Sequence, residues 1–140
     1  TALATYSLRA LCAEYVALLQ KRGKVSHSDV ANVLKNHLLD LYPGVVEKPA
    51  AEVTKAELMV AIRRLQEAGH ESTARKLRSH LRAAYACGLR ADSDTSLPTA
   101  FLGFRITSNP VEGIVAIKAK TDKNPLSVAE LRKYWKALQD

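Results

Sequence analysis

The first part of the chain repeats apolar residues every three or four positions, which is the spacing of one face of an α-helix. One such run covers residues 7–22 and is followed by Gly23, and a second covers residues 28–41 and is followed by Pro43 and Gly44. Glycine and proline commonly follow a helix because they favour backbone conformations that do not continue it. The pattern therefore predicts two amphipathic helices joined by a short basic turn.

Two further helices are predicted by their start and stop signals. Thr54 and Glu57 form a T-x-x-E capping box, in which each side chain satisfies a backbone N–H at the start of a helix. Gly69 stands where a helix of this length needs a left-handed residue to end it. Ser72 is then the expected N-cap of the next helix. These signals predict helices over residues 54–68 and 72–89.

The apolar faces of these four helices are expected to close one common core. A chain of 140 residues has the size of one ordinary domain, and its 47% hydrophobic and 25% charged residues are typical of a globular protein. We predict an all-α fold built from a four-helix bundle. Its expected core residues are Leu11, Tyr15, Leu34, Leu38, Leu58, Ile62, Leu65, Leu77, Leu81 and Tyr85.

The last third of the chain differs in character. Residues 91–126 mix Asp, Ser, Thr, Pro and Gly with short apolar pieces, which favours an irregular segment that becomes a linker. The piece around Phe101 is expected either to pack as an extra short helix or to serve a subunit contact. Ser127 and Glu130 form a second capping box, so a further helix is expected to begin there. Because the chain starts without methionine and stops within that pattern, we expect a piece of a longer protein.

The charge balance favours an anionic partner. The net charge is +7, which suits nucleic acid or an acidic membrane surface. No apolar run reaches the length of a membrane helix and no signal peptide is recognisable, so a cytoplasmic protein that does not enter the membrane is expected. Cys12 and Cys87 fall on apolar helical faces, where a thiol behaves as a small buried hydrophobe. Neither a metal site nor a cofactor is expected.

The predicted fourth helix carries the most distinctive set of polar residues. Between residues 72 and 90 the chain has five lysines and arginines and no acid. Arg78, Arg82 and Arg75 fall at about 40, 80 and 100 degrees around the helix axis measured from Ala74, and we call this row the arginine stripe. Guanidinium groups suit both phosphate oxygens and guanine edges. The alternative is a solvated face that only keeps the domain soluble.

Other polar residues extend this candidate surface. Ser72 and Thr73 add hydroxyl groups beside the free backbone N–H groups of a helix start, which suit a phosphate. Lys35 and Asn36 project from the second helix and can read base edges, although the cations near residues 21–24 are equally well explained by the dipole of the first helix. The full set of predicted DNA-binding residues is Lys24, Lys35, Asn36, Ser72, Thr73, Arg75, Lys76, Arg78, Ser79, Arg82, Lys118 and Lys120.

The sequence contains no convincing catalytic motif. It has no glycine-rich phosphate loop, no G-x-S-x-G elbow and no H-E-x-x-H pair. The five tyrosines mostly fall on apolar helical faces, where core packing explains them better than a role as nucleophile. We therefore expect no enzymatic activity from this chain by itself.

Five short segments, taken in order, resemble the core-binding region of tyrosine recombinases, the phage-type integrases. They are L-x-x-L-C-x-x-Y at 8–15, V-T-K-x-E-L at 53–58, S-T-A-R-K-L-R-S-H-L-R-A-A-Y at 72–85, N-P-V at 109–111 and L-S-x-x-E-L at 126–131. Each pattern is loose, and what is specific is their succession over nearly the whole chain. The stretch between Leu89 and Asn109 is longer than the turn usual in this family.

The resemblance implies a SAM-like core-binding bundle over residues 1–107, an interdomain linker over 108–126 and the first helix of a catalytic domain over 127–140. It implies that the second and fourth helices face the major groove of double-stranded DNA at a recombination site. It also implies a bacterial or prophage-encoded parent protein that assembles as a tetramer on DNA. The catalytic residues of the family lie in the later domain, so strand cleavage and rejoining are expected of the parent and not of this chain. The alternative is a helical protein-interaction domain whose basic face binds an acidic partner.

Overall fold

The computed structural model describes residues 6–117, and within that range the secondary structure is helical, without a β-strand. The predicted all-α fold is therefore confirmed. The α-helices are α1 (Leu8–Lys21), α2 (His27–Leu34, continued by a π-helical turn Lys35–Leu39), the short α3 (Pro43–Val46), α4 (Lys55–Glu67) and α5 (Glu71–Arg90). The same range contains three 3-10 turns, Ala50–Glu52, Thr99–Phe104 and Pro110–Gly113.

The helix ends form largely through the signals that predicted them. Gly23 and Gly69 both adopt left-handed backbone conformations, with φ of 75° and 85°, next to the C-cap residues of α1 and α4. The capping box at the start of α4 is complete: the Thr54 N–H donates to Glu57 Oε1 at 2.9 Å, and the Glu57 N–H donates to Thr54 Oγ1 at 3.3 Å. Lys48 Nζ also donates to the Glu57 carboxylate, and this contact is the main reason that the pKa of Glu57 is lowered. These local contacts fix the start of α4.

The predicted N-cap of α5 is wrong. The helix begins at Glu71, and the side chain of the N-cap residue His70 makes no capping hydrogen bond. The reason is the tight turn after α4, in which the His70 N–H donates to the Leu65 carbonyl at 2.8 Å while the Ala74 N–H already bonds to the His70 carbonyl at 3.0 Å. The chain therefore enters α5 one residue early, and Ser72 lies exposed inside the first turn.

The core forms where the four main helices meet. Nine of the ten predicted core residues are buried, whereas Tyr15 is only partly buried and packs at the edge of the core. Tyr85 is fully buried near the centre, and its hydroxyl donates to the Ala50 carbonyl at 2.8 Å. This hydrogen bond joins α5 to the loop before α4. No helix within residues 6–117 is both long and apolar enough to cross a membrane.

The segment after α5 adds a second layer of core contacts. Leu97, Phe101, Phe104 and Ile106 are all buried, and the 3-10 turn Thr99–Phe104 packs against α1 and α5. Of the two expectations for this segment, packing as an extra short helix is the one that the structure supports. Its close fit is visible at Gly88, where an added Cβ would lie 2.5 Å from Ile106 Cδ1.

Residues 109–114, which we call the strap, also pack on the bundle. The sequence places these residues at the start of the expected interdomain linker, but Val111 and Ile114 are buried against α4 and α5. Asn109 shapes the turn, because its Oδ1 accepts from the Val111 N–H at 3.0 Å. The expected helix from Ser127 lies outside the described residues.

Candidate nucleic-acid interface

The outer face of α5 presents several of the predicted DNA-binding groups to solvent. Ser72, Lys76 and Ser79 are exposed, and Thr73 and Arg75 are partly exposed. Within residues 6–117 the Arg75 side chain makes no hydrogen bond or ion pair, so its guanidinium is available to an incoming phosphate. The first three turns of α5 therefore form a surface of cations and hydroxyl groups.

Arg78 belongs to the predicted arginine stripe, but its guanidinium is engaged inside the domain. Its Nε and Nη2 both donate to the Ile114 carbonyl, at 3.1 and 2.9 Å, and the contact is partly buried. A planar guanidinium can make two such bonds at once, whereas a lysine ammonium lacks this fork. Arg78 thus holds the end of the strap on α5.

Arg82 is the third residue of the stripe, and the strap contacts it twice. Its backbone carbonyl accepts from Asn109 Nδ2 at 3.1 Å, and its Nη2 lies 3.2 Å from Glu112 Oε2. Both charged side chains are about half exposed, so this ion pair contributes little stability and its guanidinium can exchange partners. Arg82 therefore remains accessible to an anion, in competition with Glu112.

Residues 72–90 contain no acid, but acids from other elements lie beside their cations in space. Glu112 reaches Arg82 from the strap, and Asp29 of α2 lies 3.9 Å from Lys76 Nζ. The absence of acids from this run therefore does not leave these two cations unpaired, because the tertiary fold brings acids to them from two other elements. Both pairs are exposed and weak.

Among the described residues, the same surface has one buried side-chain nitrogen without a hydrogen-bond partner. Nε2 of His80, on the α5 face toward α2, is buried and forms no hydrogen bond with the described residues. Burial lowers the pKa of His80, while the nearby Asp29 carboxylate opposes that shift and the Lys76 ammonium adds to it. A neutral imidazole is therefore favoured at this position.

The predicted contribution of α2 lies in its π-helical turn. Lys35 and Asn36 are both exposed there, and Lys35 Nζ pairs with Asp40 Oδ2 at 2.9 Å. The π turn forms because the Asp40 N–H bonds to the Lys35 carbonyl five residues earlier, and such turns are frequent at functional sites. Lys24 is exposed in the turn after α1. Lys118 and Lys120 lie outside the described residues.

Several side chains that catalysis or metal binding could use are buried or packed against other residues. The Tyr85 hydroxyl is buried and bonded to a carbonyl, and burial raises its pKa well above the ordinary value. Tyr6 packs its ring edge-on against Phe104, with ring centres 5.4 Å apart. Within residues 6–117 no group of three or more His, Cys, Asp or Glu side chains is arranged to hold a metal ion. The two thiols, Cys12 and Cys87, are buried and free.

One group of cations was not recognised as a unit in the sequence. Arg22 and Arg90 stand at the ends of α1 and α5 and line the same cavity as Arg82. In the sequence they are only helix-end cations far apart along the chain. They could have been grouped in advance only by predicting that the ends of α1 and α5 pack together.

Comparison with known families gives the architecture a name. The family model described as the phage integrase central domain matches residues 8–100, which is more than half of the chain. The chain belongs to this family. The match confirms the resemblance to the core-binding region of tyrosine recombinases. It also covers α1 to α5 but ends before the strap. Comparisons with curated proteins and with solved structures found no similar chain.

Proposed function

We propose that this phage integrase central domain binds double-stranded DNA and positions a recombination site for the catalytic domain of a site-specific tyrosine recombinase. The observation that carries the proposal is the outer face of α5. There the Arg75 guanidinium makes no hydrogen bond or ion pair within the described residues, and exposed Lys76, Ser72 and Ser79 lie beside it. Cations, hydroxyl groups and backbone N–H groups are the groups that proteins use to hold DNA phosphates.

The proposal assigns separate tasks along α5. Arg75, Lys76, Ser72 and Ser79 contact DNA directly, Arg82 contacts it when Glu112 gives way, and exposed Lys35 and Asn36 of α2 approach the same duplex. Arg78 instead keeps the strap in place through the Ile114 carbonyl. The parent protein assembles as a tetramer on its site, and strand cleavage belongs to its catalytic domain.

The test is binding of the whole chain to a random-sequence duplex, measured by fluorescence anisotropy over a series of salt concentrations. Each phosphate contact should contribute about 0.9 to the slope of log K against log salt, so a slope of several units is expected. A polyglutamate peptide at matched charge is the control. Binding to polyglutamate that equals binding to DNA would favour the protein-interaction alternative. No DNA binding at low salt would refute the proposal.

A separate measurement tests the assignment of cleavage to another domain. Supercoiled plasmid incubated with this chain should stay supercoiled, because we place the cleaving groups outside it. A nicked plasmid that carries covalently attached protein would contradict this division of labour.

A further inference from the structure

A cavity of about 410 Å³ lies between α1 and α5, at the far end of the candidate DNA surface. Three guanidinium groups line it: Arg22 directly after α1, Arg82 in the middle of α5 and Arg90 at the end of α5. The partly exposed Tyr15 contributes to its wall, and the small side chains of Ala83 and Ala86 also line it. The cavity wall thus combines small side chains with several hydrogen-bond donors.

The side chains that line this cavity carry more positive than negative charge. Among the described residues, Glu112 is the one acidic residue that lines it, and this carboxylate pairs with Arg82. Asp94 stands nearby, and its pKa is lowered mainly by hydrogen bonds from Ser96 and further by Arg90 and Arg22. Within residues 6–117 neither Arg22 nor Arg90 has a carboxylate within 4.0 Å.

The position of the cavity continues the basic face of α5. With a rise of 1.5 Å per residue, Arg82 and Arg90 lie about 10 Å and about 22 Å along the helix axis from Arg75. All three arginines fall within roughly 80 degrees around the axis, on the side away from the core. A duplex that lies along Arg75 and Arg82 therefore also passes the cavity.

We propose that this cavity binds a phosphate group of the DNA backbone, held by Arg22, Arg82 and Arg90, with Glu112 as the internal group that the phosphate displaces from Arg82. The proposal rests on the proposed function and extends its DNA surface from Arg82 to Arg22 and Arg90, which are not in the predicted set. Guanidinium forks match phosphate oxygens in geometry and charge.

A simpler account explains part of the pattern. Cations at the ends of helices stabilise the negative end of the helix dipole, and Arg22 and Arg90 both stand at such ends. That effect acts on each helix separately and does not require the two guanidiniums to share a cavity with Arg82. The two accounts differ in what they predict for DNA binding, because dipole compensation alone leaves the salt dependence unchanged.

The experiment compares the whole chain with the double variant Arg22→Gln/Arg90→Gln on a random-sequence duplex. Loss of one or two phosphate contacts should flatten the slope of log K against log salt by roughly 1 to 2. The matched control is Arg63→Gln/Arg64→Gln, which removes two exposed cations from α4 and should leave the slope nearly unchanged. Circular dichroism confirms that each variant keeps its helices.

Two further measurements decide the ligand and the role of Glu112. The variant Glu112→Gln should bind DNA roughly 2- to 5-fold more tightly, because the phosphate no longer competes with a carboxylate. Tripolyphosphate distinguishes a free phosphate compound from DNA as the source of the phosphate. If Arg22→Gln/Arg90→Gln weakens tripolyphosphate binding but keeps the DNA slope, the cavity does not hold the DNA backbone and the proposal fails.

Failure of this inference is separable from failure of the proposed function. If the unchanged chain binds DNA with a steep salt dependence and Arg22→Gln/Arg90→Gln behaves like the α4 control, the cavity plays no part and only this inference is overturned. If the unchanged chain does not bind DNA even at low salt, both are overturned.

Discussion

Arg75 and Arg78 stand one turn apart on α5, yet their side chains make different contacts. Arg78 donates two hydrogen bonds to the Ile114 carbonyl, whereas the Arg75 side chain makes none within residues 6–117. We therefore expect Arg78→Ala to lower the free energy of unfolding while leaving the salt dependence of DNA binding nearly unchanged. Arg75→Ala should do the opposite. A single helix turn would then separate a stabilising arginine from a DNA-contacting one.

The magnitude follows from the contacts. A hydrogen bond to a charged group contributes about 1.5 to 3 kcal/mol, but water can take over part of the role of Arg78 because its contact is only partly buried. The expected loss for Arg78→Ala is therefore about 1 to 3 kcal/mol in total. Arg75→Ala should change stability by less than about 0.5 kcal/mol and flatten the salt slope by about 1.

Urea unfolding followed by circular dichroism gives the stability, and fluorescence anisotropy with a random-sequence duplex gives the salt slope. Arg78→Lys is the decisive control, because it keeps the charge but loses the planar fork. This variant should be nearly as destabilised as Arg78→Ala. If Arg78→Ala instead keeps the urea midpoint of the unchanged chain and flattens the slope as Arg75→Ala does, Arg78 acts on DNA and the reasoning is refuted.

Two further predictions concern packing and protonation. In Gly88→Ala the new Cβ should clash with Ile106 Cδ1. Ile106→Val removes that methyl group, so it should lower the free energy of unfolding by about 1 kcal/mol in the unchanged chain but relieve strain in Gly88→Ala. If the effects of the two substitutions on the urea midpoint simply add, this close fit is contradicted. The folded-state pKa of His80 lies below its ordinary value of 6.5 because burial disfavours the charged form. The unfolded chain then binds more protons, so stability should be fully present above about pH 7 and fall as the pH is lowered through 6.5. His80→Gln should show a weaker decline between pH 7.5 and 5.5, and an equal decline in both proteins would remove the histidine from the explanation.

The family match ends before the hydrophobic core does. It covers residues 8–100, whereas buried side chains continue through Phe101, Phe104, Val111 and Ile114. Material beyond the matched region therefore completes the hydrophobic core of this protein. A truncation at residue 100 would expose the α5 surface that these side chains cover, so binding experiments should use the whole chain.

The sequence by itself determined the four main helices and most of their ends, but not the short α3, which forms where Pro43 and Gly44 were expected to end a helix. Periodic apolar residues predict which face is buried, and the capping box of Thr54 and Glu57 and the left-handed Gly69 act within a few residues of one another. Such local signals do not depend on how the helices pack. The wrong N-cap, Ser72, arose where the turn after α4 overrode a local preference.

Only the tertiary structure decided which contacts the cations of α5 make. The Arg78 guanidinium meets the Ile114 carbonyl across 36 residues of sequence, and Asn109 meets the Arg82 carbonyl across 27. No local pattern encodes these contacts, because they depend on how the strap folds back onto the bundle. Helical spacing places the three stripe arginines on one side of α5, but it does not reveal which carbonyl or carboxylate the rest of the chain brings to each guanidinium.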